Sequence, residues 1–294
     1  MRERTIRVGA VDLAVRETGE GRPVLLLHGF PELGWSWRRQ WDALAAAGCR
    51  VVVPDLRGYG GSSAPAGPEH YDLVTLSGDV LGLADAIGAE TFTVIGHDWG
   101  AALAWATALL YPGRVRAVAG LSVPALPRAP SPPVELLRRF AGDDFYIVWF
   151  QAPGVADAAL AADVRRTLCT TEVWSAAWAA RSDAPPRPPF WSAEDERIYV
   201  GTYARTGFTG GLNWYRAMDR TWERTAHVAG RTIDRSALFV TGSRDPVRRF
   251  APAEAMRGYV TDLETIEIDG AGHWVQQERP DEVNAALLAF LGRT

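Results

Sequence analysis

A short apolar strand, a glycine-flanked turn and a helix follow one another within residues 91–106, and this succession constrains the fold most strongly. Residues 91–95 are rich in β-branched side chains, as a buried parallel strand is. Residues 101–106 are rich in helix formers. The intervening GHDWG at 96–100 predicts a sharp bend that lifts one side chain above the end of a sheet. A serine often occupies that position, whereas this chain has Asp98.

A carboxylate at this position favours one class of chemistry. It is a poor nucleophile for acyl transfer, but it can attack a strained or activated sp³ carbon and form an alkyl ester. Hydrolysis of an ester on Asp98 needs a base, which in folds with such a turn follows the last strand of the sheet. His273 meets this requirement, because it follows a predicted strand at 263–268 and lies in the segment GAGHW.

An orienting carboxylate for His273 is expected after an earlier strand. Asp245 follows the predicted strand at 237–241, and the order nucleophile, acid, base then matches expectation. An aspartate before a proline can also be a simple turn former. Asp262 and Asp269 lie near the same segment and remain alternatives.

Backbone donors for a developing oxyanion are expected in two places. The segment HGFPE at 28–32 follows a predicted buried strand, and the residue after the nucleophile lies nearby in such folds. We assign the two N–H groups to Phe30 and Trp99. His28 and His97 are interpreted as supporting hydrogen-bonding residues.

Composition excludes several classes of function. The chain has 294 residues and a net charge of −4, so it lacks the basic character of a nucleic-acid-binding protein. It contains no lysine, which excludes a Schiff-base nucleophile. Cys49 and Cys169 are isolated, so we expect buried thiols and neither a zinc site nor a disulfide. No segment approaches the ~18 apolar residues of a membrane span, and we expect a cytoplasmic protein without a membrane partner.

Strands alternate with helices through the first 121 residues. An antiparallel hairpin is predicted over 5–17, with Gly9 near its turn. This rhythm predicts a mostly parallel sheet. The other predicted strands lie at 24–27, 50–53, 91–95 and 115–121, and the predicted helices at 33–47, 75–88 and 101–106.

The pattern changes after residue 123. Five prolines between 124 and 133 suit a chain that leaves the sheet, and from there to residue 235 no buried-strand pattern occurs. The rhythm then resumes with strands at 237–241 and 263–268 and with helices near 252–260 and 281–291. We therefore expect a core domain formed by 1–123 and 236–294, and an inserted helical cap, or lid, domain at 124–235.

Two tyrosines of the expected cap are candidates for an acid. If the target of Asp98 is an epoxide, its opening places negative charge on oxygen, and a phenol can donate a proton there without adding a charge. Tyr146 and Tyr215 lie in aromatic segments of the cap. From the residues alone, a half-buried packing aromatic is the more common role for each.

Taken together, these segments resemble the epoxide hydrolases of the α/β-hydrolase fold over nearly the whole chain. The resemblance implies an α/β architecture, a mostly parallel eight-stranded sheet flanked by helices with an inserted helical cap. The matching motifs are HGFPE at 28–32, PDLRGYG at 54–60, GHDWG at 96–100, YIVWFQ at 146–151, NWYR at 213–216 and GHW at 272–274.

The resemblance also implies roles for particular residues. Asp98 would attack an epoxide carbon while Tyr146 and Tyr215 hold and protonate the epoxide oxygen. His273, oriented by Asp245, would then activate water to hydrolyse the ester and release a vicinal diol. The partner is a small-molecule epoxide, and no metal or other cofactor is expected. The expected substrate pocket is lined by Phe30, Pro31, Trp99, Trp149, Phe150, Trp214 and Trp274.

Two other functions remain as alternatives. A haloalkane or haloacid dehalogenase would share the fold and the nucleophile, and Trp99 could stabilise the halide, although released halide has no use for paired phenols. A non-catalytic binding protein of the same fold is the alternative from another class. The dense aromatic residues of the cap suggest a bulky or aromatic apolar epoxide, and we expect a monomer or a homodimer.

Overall fold

Eight strands form one sheet at the centre of the structure, a computed structural model that describes residues 1–170 and 174–294. Their spatial order is β1-β2-β4-β3-β5-β6-β7-β8, and all neighbours after β4 in this order pair in parallel. The expected mostly parallel sheet of the α/β-hydrolase fold is confirmed. The strands are β1 (Arg2–Val8), β2 (Val11–Thr18), β3 (Arg22–Leu27), β4 (Cys49–Pro54), β5 (Phe92–His97), β6 (Val115–Leu121), β7 (Ile233–Gly242) and β8 (Val260–Ile268).

Helices lie on the sheet and in one long insertion between β6 and β7. Those in the core sequence are α1 (Trp41–Ala46), α2 (Leu73–Ala86), α3 (Trp99–Leu110), α12 (Val275–Glu278) and α13 (Pro280–Leu291). Those of the insertion are α4 (Pro133–Ala141), α5 (Tyr146–Trp149), α6 (Val155–Ala161), α7 (Val164–Cys169), α8 (Ala176–Ala179), α9 (Ala193–Thr206), α10 (Thr209–Arg216) and α11 (Met218–Arg224).

The sheet is covered on both faces, which explains why its strands are continuous apolar runs. In β3, Val24 and Leu26 belong to one buried cluster, whereas Leu25 and Leu27 belong to the other. Successive side chains of a strand point to opposite faces, so both faces must be apolar when both are covered. Burial of one such side chain contributes about 1.5–3 kcal/mol. Both cysteines, as expected, are buried and unpaired.

Two predicted helices differ in the structure. The helix expected near 252–260 is only a 3₁₀ turn at Ala253–Met256, followed by β8. Arg257 has extended backbone with ψ 122° and ends the turn, and Gly258 follows with φ +78°, so neither residue can continue a helix. The helix expected at 33–47 is split into a 3₁₀ turn at Gly34–Trp37 and α1. Gln40 lies at the break, where its buried side chain donates a tertiary hydrogen bond of 3.0 Å to the carbonyl of Gln276.

Ion pairs connect the insertion to the core at two separate places. Asp195, near the start of α9, lies 2.6 Å from the guanidinium of Arg38. Asp72, which caps the N-terminus of α2, lies 2.7 Å from the guanidinium of Arg224 in α11. These side chains hold the insertion over the ends of the parallel strands. Within the described parts of the chain, no helix combines the length and apolar character needed to cross a membrane.

Candidate active site

Asp98 lies at the sharp turn between β5 and α3. Its backbone has φ +52° and ψ −119°, a strained conformation for a residue with a side chain. The flanking glycines permit the turn, because a Cβ atom on Gly96 would collide with the backbone of Gly100, and one on Gly100 with the carbonyl oxygen of Leu27. The turn therefore presents the carboxylate above the end of the sheet, as the sequence predicts.

The two carboxylate oxygens of Asp98 have different surroundings. Oδ1 accepts a hydrogen bond of 2.8 Å from the backbone N–H of Phe30. Oδ2 lies 3.5 Å from Nε2 of His273, and 13% of the Asp98 side chain is exposed. Trp99 is the first residue of α3, where backbone N–H groups have no partner inside the helix. One carboxylate oxygen of Asp98 is thus held by a donor while the other faces the histidine.

His273 lies between two aspartates. Its Nδ1 is 3.1 and 3.2 Å from the two carboxylate oxygens of Asp245, which can only accept, so Nδ1 carries a proton. Burial alone would lower the pKa of His273, but the charge and hydrogen bond of Asp245, followed by those of Asp98, raise this pKa well above its ordinary value. This shift favours the protonated form of the ring, which lies between the two carboxylates.

Asp245 is the carboxylate that the fold brings to His273. Burial would raise the pKa of Asp245, but the charge and hydrogen bond of His273 lower it, so the group stays ionised. The two alternative aspartates lie elsewhere: Asp262 accepts from the hydroxyl of Ser236, and Asp269 from that of Ser243. Of these three aspartates, the structure places Asp245 beside His273, and its role as the orienting acid stays a prediction.

Tyr146 and Tyr215 face the same cavity as Asp98, although they come from α5 and α10. Their ring centroids are 5.9 Å apart, and the ring of Tyr215 packs 5.0 Å from that of Trp99. Burial, and then the negative charge of Asp98, raise the pKa of both phenols above the ordinary value of 10.0. Both hydroxyls therefore keep their protons at neutral pH and can donate hydrogen bonds.

The cavity has a volume of about 770 Å³, within the usual range for small-molecule sites. Of the seven residues expected to line it, Phe30 and Trp274 do so. Trp174, Phe190 and Phe250 also line it, and the sequence did not assign them to the pocket. The walls therefore come from the core loops, the insertion and the segments after β7 and β8.

The other five expected pocket residues lie outside this lining. Phe150 is fully buried, and its ring centroid lies 5.6 Å from that of Tyr146 and 5.0 Å from that of Tyr215. Trp149 packs on Phe150, and Trp214 donates its indole N–H to the carbonyl of Arg57. Phe150 therefore packs against both tyrosine rings, and Trp149 packs against Phe150. Pro31 is buried and Trp99 is partly buried against Tyr215.

A second buried histidine supports His273, and its carboxylate partner was missed by sequence reasoning. Nδ1 of His97 lies 2.7 Å from Glu32, and Nε2 lies 2.9 Å from the backbone carbonyl of His273. Since both partners only accept, both ring nitrogens of His97 donate. Burial would raise the pKa of Glu32, but the charge of His97 lowers it. Glu32 ends the HGFPE segment, and a charged residue so soon after a predicted buried strand was the available signal.

His28 also fulfils the expected supporting role. Its Nε2 accepts from the backbone N–H of Leu56 at 3.0 Å, so its proton is on Nδ1, which donates to the carbonyl of Gly29 at 2.9 Å. Burial lowers the pKa of His28. This neutral ring fixes the loop that carries the Phe30 N–H group.

Two further side chains hold the loop of His273, and neither was assigned a role from the sequence. The hydroxyl of Ser122 donates to the carbonyl of His273 at 2.5 Å. The carboxylate of Glu278 accepts from the backbone N–H groups of Gly272 and Trp274, at 2.7 and 3.1 Å. The backbone is therefore held on both sides of the histidine.

Comparisons with known proteins agree with this geometry. The sequence profile of the alpha/beta hydrolase fold family matches residues 22–280. Epoxide hydrolase A of Mycobacterium tuberculosis is 49% identical over 98% of this chain and 97% of that protein. The crystal structure of Epoxide Hydrolase A from Mycobacterium thermoresistibile, also 49% identical, superposes with a TM-score of 0.94 over 99% of this chain and 98% of that one. A crystal structure of an epoxide hydrolase from Vigna radiata is 34% identical and superposes with a TM-score of 0.92 over 100% of this chain and 98% of that one.

Proposed function

The chain belongs to the epoxide hydrolases of the α/β-hydrolase fold, and on that premise we propose that it forms a vicinal diol through an ester on Asp98. One observation carries the proposal: Asp98, His273, Tyr146 and Tyr215 line a single cavity. The relatives favour this reaction over dehalogenation and over a non-catalytic role, since those described above are epoxide hydrolases.

Ring opening uses the oxygen of Asp98 that the Phe30 N–H group leaves free. Oδ2 attacks one epoxide carbon, the carbon–oxygen bond on the other side breaks, and its electron pair goes to the ring oxygen. Tyr146 and Tyr215 donate hydrogen bonds to that oxygen, and a proton passes to it from one phenol. Their raised pKa values keep both phenols protonated for this step.

Esterification of Asp98 changes the state of His273. In the free enzyme the negative charge of Asp98 contributes to the raised pKa of His273. The ester is neutral, so this contribution disappears and the imidazolium can release its proton, which restores the phenol. Neutral His273, held by Asp245, then takes a proton from water as the water attacks the ester carbonyl.

The oxyanion formed in this second step is Oδ1, which already lies beside a backbone donor. Phe30 N–H is 2.8 Å from it, and we assign Trp99 N–H as the second donor. Collapse of the tetrahedral intermediate breaks the bond between the Asp98 carboxyl carbon and Oδ2, and the departing alkoxide takes the proton of the new carboxylic acid, which gives the diol and the carboxylate of Asp98. One oxygen atom of Asp98 is replaced by one from water in this scheme.

We propose that residues 124–235 act as a cap domain that supplies the two phenols and part of the cavity wall. The aromatic rings at Phe30, Trp174, Phe190 and Trp274 suit a bulky or aromatic apolar substrate body. Comparing kcat/KM for an aryl epoxide with that for a short aliphatic epoxide tests this preference. The cytoplasmic location and the monomeric or dimeric state stay predictions from the sequence.

The covalent intermediate is tested with a His273→Gln variant. Ring opening should continue while hydrolysis stalls, so intact-protein mass spectrometry should detect the enzyme plus one substrate mass. Peptide mapping should assign the added mass to Asp98. An Asp98→Ala variant is the control, because it has no carboxylate to alkylate.

Single turnover of the wild-type enzyme in ¹⁸O-labelled water supplies the second measurement. The label should enter Asp98 first and reach the diol only in later turnovers. Labelled diol from the first turnover, or no adduct on the His273→Gln variant at saturating epoxide, contradicts the two-step scheme.

A further inference from the structure

The outer end of the active-site cavity is lined by three arginines. Arg39, Arg244 and Arg279 are exposed, whereas Asp98 and Tyr215 at the inner end are largely buried. The arginines follow the 3₁₀ turn before α1, the strand β7 and the helix α12, so three distant parts of the chain meet at one opening. The cavity thus changes from an apolar interior to a cationic rim.

The charges of this rim are largely unpaired within the protein. Among residues 1–170 and 174–294, no carboxylate lies within 4.0 Å of the guanidinium of Arg39 or Arg244. The guanidinium of Arg279 is 3.9 Å from Glu282, the limit of an ion pair. By contrast, Arg248 in the same loop region lies 2.6 Å from Glu267.

The two acidic residues that line the cavity offset only part of the positive charge of the rim. Asp98 lies at the inner end beside His273, 3.5 Å from its Nε2. Glu278 keeps its negative charge, but its two oxygens accept from the backbone N–H groups of Gly272 and Trp274, so three arginines share one carboxylate at the rim. Since the whole chain has a net charge of −4, a cationic rim is a local feature that can attract and orient an anion.

We propose that the substrate is an epoxide with a carboxylate at the end remote from the ring, and that Arg39, Arg244 and Arg279 bind this carboxylate. The inference rests on the proposed function, because it places the epoxide between Asp98 and the two tyrosines. The apolar body of the substrate then lies along the aromatic walls. Guanidinium groups match the planar carboxylate with paired N–H donors, and they remain charged at every physiological pH.

The test compares substrates that differ only in charge. Terminal epoxides on linear chains of increasing length carry either a carboxylate or a primary amide at the far end. At low salt we expect kcat/KM of the wild-type enzyme to favour the acid by about tenfold at the best length, because exposed ion pairs contribute about two- to fivefold each. The preference should fall as salt is added, since rim charges are screened.

Variants then assign the preference to the rim. Arg39→Gln, Arg244→Gln and Arg279→Gln should each reduce the acid-to-amide ratio, and the triple variant should bring it to about one. Arg249→Gln is the matched control, because Arg249 is exposed but does not line the cavity. Equal kcat/KM for acid and amide in the wild-type enzyme, or an unchanged ratio in the triple variant, overturns the proposal.

Binding of the diol products separates this inference from the proposed function. Isothermal titration of wild-type enzyme should give tighter binding of the diol acid than of the diol amide, and the triple variant should lose the difference. If the diol acid binds better but no epoxide of the series is hydrolysed, the proposed function fails and the anion site stands. If epoxides are hydrolysed but the two diols bind equally, the anion site is refuted and the proposed function stands.

Discussion

The buried pair of Glu32 and His97 supports a prediction about stability. The Glu32 carboxylate accepts four hydrogen bonds, all between 2.7 and 3.1 Å. The donors are the backbone N–H of Gly29, Nδ1 of His97 and the side-chain amides of Gln276 and Gln277. A Glu32→Gln substitution keeps the shape of the side chain but removes its charge and turns one acceptor into a donor.

The expected loss is large because every group around the substituted atom is a donor. Both side chains of the pair are at most 2% exposed, so water cannot compensate. Breaking one partner of a buried ion pair costs about 3–5 kcal/mol. Since a protein is stabilised by only about 5–15 kcal/mol in total, we expect Glu32→Gln to remove about 3 kcal/mol of the free energy of unfolding.

Urea unfolding at pH 7 measures this loss, and a double-mutant cycle with His97→Gln assigns it to the pair. In the double variant no unpaired charge remains, so its loss should be smaller than the sum of the single losses by about 1–3 kcal/mol. A Glu32→Gln loss below 1 kcal/mol, or strictly additive losses, would refute the assignment of a charged pair.

The pH dependence gives an independent check. The pKa of Glu32 is lowered in the folded state from its ordinary value of 4.5, so the unfolded state binds its proton more readily. The stabilisation is therefore complete above pH 4.5 and is lost as the pH falls through the lower, folded pKa. The difference in stability between the wild-type protein and Glu32→Gln should shrink as the pH falls through that acid window.

Two further predictions concern the catalytic groups. The charge and hydrogen bond of Asp98 help to raise the pKa of His273, so Asp98→Asn should lower this pKa in an NMR titration of the imidazole protons; an unchanged or higher value contradicts the coupling. Replacing both Tyr146 and Tyr215 with phenylalanine should slow single-turnover ring opening by at least about 10²-fold, the usual contribution of a positioned acid, and either single replacement should do less. An unaltered rate in the double variant would remove both phenols from the reaction.

Short-range patterns in the chain were sufficient for much of the architecture. The apolar run before Gly96 and the helix formers after Gly100 predict the turn at Asp98, because strand and helix preferences act within a few residues. Prediction of helices was less accurate where the helix preference of a segment competed with the tertiary contacts of its side chains. The expected helix near 252–260 is a single turn, and the buried side chain of Gln40 interrupts the helix expected at 33–47.

The candidate catalytic residues were found from motifs and their order, and the structure brings Asp98, Asp245 and His273 into contact. It also explains why Asp262 and Asp269 do not take the place of Asp245, since each binds a serine hydroxyl instead. The order of the three residues along the chain predicts their proximity because β5, β7 and β8 run parallel in one sheet. The segments that follow these strands therefore lie at the same edge of the sheet.

By itself, then, the sequence determined the turn at Asp98, the alternation of strands and helices, and the order of the candidate catalytic residues. Only the tertiary structure decided that Glu32 meets His97, 65 positions along the chain, and that arginines from three segments surround one opening. Periodicity and turn chemistry act between near neighbours, whereas contacts between distant residues depend on how the strands are ordered and how the insertion packs on them.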